Sequence, residues 1–256
     1  MTSGNDTTSL SKRFRTPLNS TKLKAKLALG NLYIEQNKLM DALELFERLI
    51  VQDPSQAKAF NSLGHVYFCL GRLERALKAF QRAIALDPYL ALAHQNLGYT
   101  YSDLECYDDA VLAFQNAIRL EPRNARPYYG LGLVYAIVGN EVRAINILQF
   151  SITLDPLYAG PRISLAAIYQ SQGDAAKYRA QVQFLTPLME GQKNYTRARF
   201  AAVCGNADEA LNCLEKVIAQ TPGYRWTIRR AIDFFAIRNH PRFLSLLGEL
   251  RSSESL

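Results

Sequence analysis

Residues 57–90 read AKAFNSLGHVYFCLGRLERALKAFQRAIALDPYL, and residues 91–124 read ALAHQNLGYTYSDLECYDDAVLAFQNAIRLEPRN. Set one above the other, Gly64 meets Gly98, Tyr67 meets Tyr101, Ala76 meets Ala110, Phe80 meets Phe114 and Pro88 meets Pro122. Working outward, the same period of 34 residues adds Gly30 and Gly132, Tyr33 and Tyr135, Ala42 and Ala144, Phe46 and Leu148, and Pro54 and Pro156. Within each unit, apolar positions recur at spacings of three and four on both sides of a short break such as Leu70-Gly71-Arg72, which predicts two helices joined by a tight turn.

A Gly inside a helix costs about 1 kcal/mol relative to Ala, so four at one phase argue for close approach at that point. The Gly of the first helix and the Ala of the second let their backbones come together, while the Tyr and Phe fill the wider space above and below. Pro cannot continue a helix interior and biases its predecessor away from the α region. Asp53-Pro54, Asp87-Pro88, Glu121-Pro122 and Asp155-Pro156 therefore end each second helix and open the next unit.

These residues, at this period, resemble the tetratricopeptide repeat family. Residues 23–56, 57–90, 91–124 and 125–158 each carry the Gly, Tyr, Ala, Phe/Leu and Pro positions. His94 and Tyr128 stand where the family usually has Trp or another large residue, as does Lys26 in the first copy. After Tyr158 the pattern weakens, with Ala166 at the Gly position and Tyr178 where a small Ala is expected. It returns through Gly205, Ala210, Leu214, Val217 and Pro222; Pro222 lies 66 residues after Pro156, two short of two periods, which places a small deletion between them. The last segment, with Trp226, Phe234, Phe235 and the run Pro241 to Leu247, resembles the closing helix of bacterial arrays, with His240 in place of the usual Asp.

The resemblance implies an all-α, right-handed superhelical solenoid of antiparallel helix pairs with a C-terminal capping helix. The expected organisation is a flexible basic tail (1–22), four regular units (23–158), a degenerate fifth (159–190), a sixth (191–224) and a capping segment (225–256).

Composition sets the outer limits. A chain of 256 residues, 48% hydrophobic and 21% charged, holds enough apolar material for a folded core. Every apolar run is broken long before the roughly 18 residues a membrane span needs, and the N-terminus lacks the apolar core of a secretory signal. Cys69, Cys106, Cys204 and Cys213 show neither a C-x-x-C spacing nor a disulfide framework, so a reducing cytoplasm is expected, with an organellar or stromal location as the alternative. The net charge of +7 favours acidic partners. It is uneven, however: residues 57–90 hold five Lys/Arg against two acids and residues 91–124 two against five, unlike the single basic face of a nucleic-acid binder.

The three histidines, His65, His94 and His240, share no ligand spacing, and Gly130-Leu131-Gly132 belongs to the repeat and not to a phosphate loop. No catalytic residue, metal or cofactor is expected. The family lines its concave face with the second, fifth, ninth and twelfth places of each unit. The resemblance thus implies partner-binding roles for Asn31, Lys58, Asn61, His65, Gln95, Tyr99, Arg126 and Tyr129. Amide, aromatic and cationic side chains together suit an extended or acidic segment of another protein. The carboxylate clamp of chaperone-binding relatives fits poorly, since Leu27, Ser62, Leu92 and Asn96 stand where clamp residues belong. The expected role is a scaffold or adaptor in complex assembly, or a co-chaperone, acting as a monomer. Alternatives are a regulatory or targeting subunit of an enzyme, or of a pilus, secretion or photosynthetic-complex biogenesis system, and, less favoured, an RNA-binding helical repeat. If two copies paired, Leu23, Leu27 and Ile34 would serve the contact.

Overall fold

The computed structural model describes residues 20–248, and all that follows concerns those residues. Six helix pairs succeed one another: α1 (Ser20–Glu35) with α2 (Leu39–Gln52), α3 (Ala57–Cys69) with α4 (Leu73–Leu86), α5 (Ala91–Asp103) with α6 (Tyr107–Leu120), α7 (Ala125–Ile137) with α8 (Glu141–Leu154), α9 (Ala159–Ser171) with α10 (Ala175–Leu185), and α11 (Asn194–Val203) with α12 (Ala207–Gln220). A short helix α13 (Tyr224–Arg230), a 3-10 turn (Ile232–Ile237) and α14 (Pro241–Gly248) follow. The chain is an all-α solenoid, and no strand occurs among the described residues.

Each second helix buries one stripe. In α4 this is Leu73, Ala76, Ala79, Phe80 and Ala83, the three-and-four spacing that the one-sided burial of a helix requires. The small-residue positions work somewhat differently from the expectation. A Cβ added at Gly64 would lie 2.6 Å from the Phe80 ring, one at Gly98 2.8 Å from Phe114, and one at Gly132 2.8 Å from Leu148. The Gly thus seats the aromatic or Leu side chain of its own hairpin, and it is this knob, not bare backbone, that fills the gap. Phe46, Phe80, Phe114 and Leu148 are completely or almost completely buried as a result.

The hairpin turns share one geometry. The N–H of Arg72 donates to Tyr67 O at 2.9 Å, and Cys106 to Tyr101, Asn140 to Tyr135 and Asp174 to Tyr169 repeat the bond at 2.8 to 2.9 Å. This closure places the preceding residue in the left-handed region, where Gly is favoured. Gly71, Gly139, Gly173 and Gly205 occupy it with φ of 72° to 80°, but Asn37 (60°) and Glu105 (63°) hold it with side chains.

The residues at the Trp position also share a task. His94 Nε2 lies 3.0 Å from Pro88 O, Tyr128 Oη donates to Pro122 O at 3.1 Å, and Arg162 Nε donates to Pro156 O at 3.4 Å. Different side chains thus tie each first helix to the preceding inter-unit turn.

Second helices α2, α4, α6, α8 and α10 begin at residues 39, 73, 107, 141 and 175, while α12 begins at 207, two residues before the next period. The shortening falls at the end of α10 and the start of α11. Tyr178, too large for the Ala position, sends its hydroxyl to Val203 O at 3.1 Å.

In α14, Phe243 and Leu247 are buried in a core that also holds Leu211, Leu214, Ile218 and Phe234. His240 takes over the Asp role: its Nδ1 accepts the Arg242 N–H at 3.2 Å at the helix start. The basic tail lies outside the described residues, apart from its last three. Leu23, Leu27 and Ile34 are partly buried in the Phe46 cluster, and the exposed large apolar residues of α1 are Leu29 and Leu32.

Candidate functional site

First helices touch one another from unit to unit, α3 on α5, α5 on α7, α7 on α9 and α9 on α11, and so form the inner wall of the curve. Their inward side chains surround a cavity of about 580 Å³. Of the residues expected to bind a partner, His65, Tyr99, Arg126 and Tyr129 line it. Asn31 and Lys58 are not part of its wall, and Asn31 is solvent-exposed. Asn61 and Gln95 are buried. Asn61 accepts from Asn96 Nδ2 at 3.1 Å, and Gln95 Oε1 has no hydrogen-bond partner.

The wall is aromatic and cationic. Tyr99 donates to Arg126 O at 3.3 Å and meets Phe114 edge-on at 5.0 Å. Tyr129 and Tyr158 pack edge-to-face at 5.2 Å. Burial raises the pKa of Tyr99, Tyr129 and Tyr158, so all three remain neutral hydroxyls at physiological pH. His65 keeps accessible surface, but that surface faces the cavity, and desolvation by the surrounding protein lowers its pKa. Arg126 is exposed to the cavity and forms no ion pair.

Beside Thr196, three residues of the sixth unit that keep the register join the wall: Gln192, Tyr195 and Arg199. They occupy the second, fifth and ninth places of a unit beginning at residue 191, so carrying the register past the fourth unit finds them. Arg199 is buried and forms an ion pair through Nε with Asp233 Oδ2 at 2.5 Å. Its Nη2 donates to Ser164 Oγ at 2.9 Å, and its guanidinium lies 5.5 Å from the Tyr129 ring centre and 5.7 Å from that of Tyr195. Burial would lower the Arg199 pKa, but the Asp233 carboxylate and the neighbouring tyrosines more than offset this, and it stands well above the ordinary value. The pair pins the 3-10 turn against α9 and α11.

The C-terminal segment then crosses the open side. Gly223 N donates to Cys69 O at 2.9 Å, Thr227 Oγ1 donates to Asp103 Oδ2 at 2.8 Å, and Arg230 Nη2 donates to Glu105 Oε1 at 2.8 Å. Helix α13 therefore sits on the ends of α3 and α5, and Tyr224, Thr227 and Arg230 join the cavity wall. The C-terminal segment thus covers one side of the expected groove, which stays open to solvent where Arg126, Asp155 and Leu157 line it. No group of His, Cys, Asp and Glu suited to a metal occurs among the described residues, and no helix there is long and apolar enough to cross a membrane.

Stacked helical hairpins around a concave chamber define the class: an α-solenoid of the repeat type. Family models described as "Tetratricopeptide repeat" match residues 27–91 and 79–111, and one described as "TPR repeat" matches residues 103–139. Over residues 27–139 the chain is built of tetratricopeptide repeats. Comparison with curated proteins gives no match. Among solved structures, TTC0263, a thermophilic TPR protein of Thermus thermophilus, is similar at a TM-score of 0.63 and 24% identity, covering 71% of this chain and 98% of that one. PilF of Pseudomonas aeruginosa is similar at 0.61 and 20% identity, covering 82% and 94%. PilW, described as a widely conserved type IV pilus biogenesis factor, is similar at 0.62 and 19% identity, covering 78% and 94%. At these identities the likeness is one of fold.

Proposed function

We propose that this protein is an interaction scaffold that holds a segment of a partner protein against its concave face, and that it serves in assembling a larger complex. The observation that carries the reading is the chamber wall itself. Helices α3, α5, α7 and α11 each contribute an aromatic, imidazole or cationic side chain to it, and Arg126 brings a charge without a carboxylate partner. Aromatic faces give contact area at low entropic cost, and an unpaired guanidinium selects an acidic group. One charge-assisted hydrogen bond contributes about 1.5–3 kcal/mol, so micromolar affinity, about 8 kcal/mol, needs several wall residues together. Four free thiols support a reducing cytoplasm as the place of action.

The test is site-specific photocrosslinking in native extract, with benzoylphenylalanine at Tyr99 on the wall or at Tyr89, an exposed turn residue. A discrete protein adduct from the Tyr99 position that disappears with Arg126→Glu supports the reading. Equal capture from both positions, or capture indifferent to Arg126→Glu, would move the binding surface off the concave face.

A further inference from the structure

We propose that residues 221–231 form a releasable strap that covers one side of the chamber in cis, so that a partner segment gains the whole concave face only when the strap leaves the ends of α3 and α5. The inference rests on the reading of the concave face as the binding surface, and it adds how access to that surface is controlled.

The strap is held by a specific seat. Gly223 packs so closely that a Cβ there would fall inside the van der Waals envelope of Phe68 O and lie 2.9 Å from Cys69 O. A Cβ built on Gly71 would lie 3.5 Å from Gly223 Cα and 3.7 Å from Trp226 Nε1, which places the Trp226 indole beside the α3–α4 turn. Gly223, Trp226, Thr227 and Arg230 follow the i, i+3, i+4, i+7 pattern by which a short helix docks on a surface. The partner residue Glu105 is the second sign of design. It holds a left-handed φ of 63° at a turn position where four other hairpins have Gly, and its carboxylate receives Arg230. A strained non-Gly residue persists where its side chain has a task.

The same contacts make the strap easy to lift. The contacts to the ends of α3 and α5 are mostly polar, and in the ion pair the Glu105 side chain is 65% exposed against 14% for Arg230, whereas Ile228 is buried in the core of the sixth unit and Tyr224 packs on that core, so the strap is anchored on that side. Arg230 Nη1 is buried without a partner, a cost of the docked state that opening removes. Helix α13 has seven residues, too few to be stable by itself, so away from α3 and α5 it is held only by Ile228 and Tyr224 on the core of the sixth unit.

Trp226 is the chain's one tryptophan, so its emission and its quenching by acrylamide report the strap without a label. Access is read separately, from the rate at which a 5-kDa polyethylene-glycol maleimide modifies the thiol introduced by Ser102→Cys on the chamber wall, resolved from the native thiols by peptide mass spectrometry. Gly223→Val releases the strap by steric conflict, and Arg230→Glu releases it by charge with no new bulk. Both are compared at unchanged helical circular dichroism. The expected result is a red-shifted, more quenchable Trp226 together with labelling of the Ser102→Cys thiol about tenfold faster or more, since a covered site reacts only through its minor open population. Unchanged quenching, or released Trp226 with unchanged labelling, would overturn the strap. Neither readout uses a partner, so loss of the Tyr99 crosslink with a mobile strap would refute the scaffold reading alone.

Discussion

The carboxylate of Glu105 accepts both Nε (3.2 Å) and Nη2 (2.8 Å) of Arg230, across 125 residues of sequence, from a turn whose φ of 63° favours glycine. Local strain and a long-range bond meet in one residue, and the two can be separated by experiment. Glu105→Gly removes the strain, which stabilises by about 1 kcal/mol where backbone and residue then agree, and it also removes the ion pair. Thermal unfolding is expected to shift upward or stay level while acrylamide quenching of Trp226 increases. A lower melting temperature with unchanged quenching would mean that Glu105 serves the hairpin and not the strap.

Arg199 and Asp233 make a different kind of long-range contact, buried on both sides. Removing one partner of a buried pair leaves an uncompensated charge and costs about 3–5 kcal/mol, whereas replacing both with apolar residues costs far less. Arg199→Met and Asp233→Leu are each expected to lower the urea midpoint strongly, and the double variant is expected to recover much of the loss. Additive losses in the double variant would show that the pair is not coupled. The charge of Asp233 matters too: its Oδ1 has no hydrogen-bond partner, so Asp233→Asn tests whether a neutral acceptor suffices to hold the 3-10 turn.

The hairpins were legible because their cause is periodic. A Gly must recur wherever Phe80 or Phe114 must seat, and a Pro wherever a second helix must end. The inner wall was half legible for the same reason. His65, Tyr99, Arg126 and Tyr129 follow the register, and so do Tyr195 and Arg199, which the register reaches only after a two-residue shift at the end of α10. Asn61 and Gln95 share the register but are buried, Asn61 against Asn96 of the next first helix, because stacking units bury part of each helix beyond its core stripe. The strap leaves no period to follow: the bonds of Thr227 to Asp103 and Arg230 to Glu105 join segments 124 and 125 residues apart. Its one mark in the sequence is the Glu at a turn position that four other hairpins give to Gly.

The two kinds of glycine in the chain should respond differently to substitution. At Gly98 an Ala gains about 1 kcal/mol of helix propensity, but its Cβ would meet the Phe114 ring at 2.8 Å, and overpacking a dense core costs about 1–3 kcal/mol. At Gly173, with φ of 72° and open space around it, Asn tolerates the left-handed backbone and Val does not. Gly98→Ala and Gly173→Val are expected to lower the melting temperature by several degrees, and Gly173→Asn to leave it nearly unchanged. A harmless Gly98→Ala would contradict the seating of Phe114 as the reason for the repeat's glycine.

Closure of the strap is expected to depend on pH through Asp103. Burial pushes its carboxyl up to about 7, against the lowering effect of Thr227 and of Arg230. The charged and titratable groups around it are Arg230 and Tyr224 from α13, Tyr107 from α6 and Glu105 from the turn, with His65 across the chamber held low by desolvation. Opening returns Asp103 to water and to the ordinary carboxylate range, so the closed state binds the extra proton. Through Asp103, closure is strongest on the acid side down to about pH 4, weakens as pH rises, and levels off above about 7; further into acid Glu105, whose carboxyl Arg230 holds below its ordinary value, takes up a proton and the ion pair that seats the strap is lost. The full span of that shift is at most about 4 kcal/mol. Quenching of Trp226 should increase between pH 6 and pH 8 in the wild type. Asp103→Asn, which keeps an acceptor for Thr227 without a charge, should stay closed across the range. Parallel profiles in the two proteins would assign the titration to another group and remove Asp103 from the control of the strap.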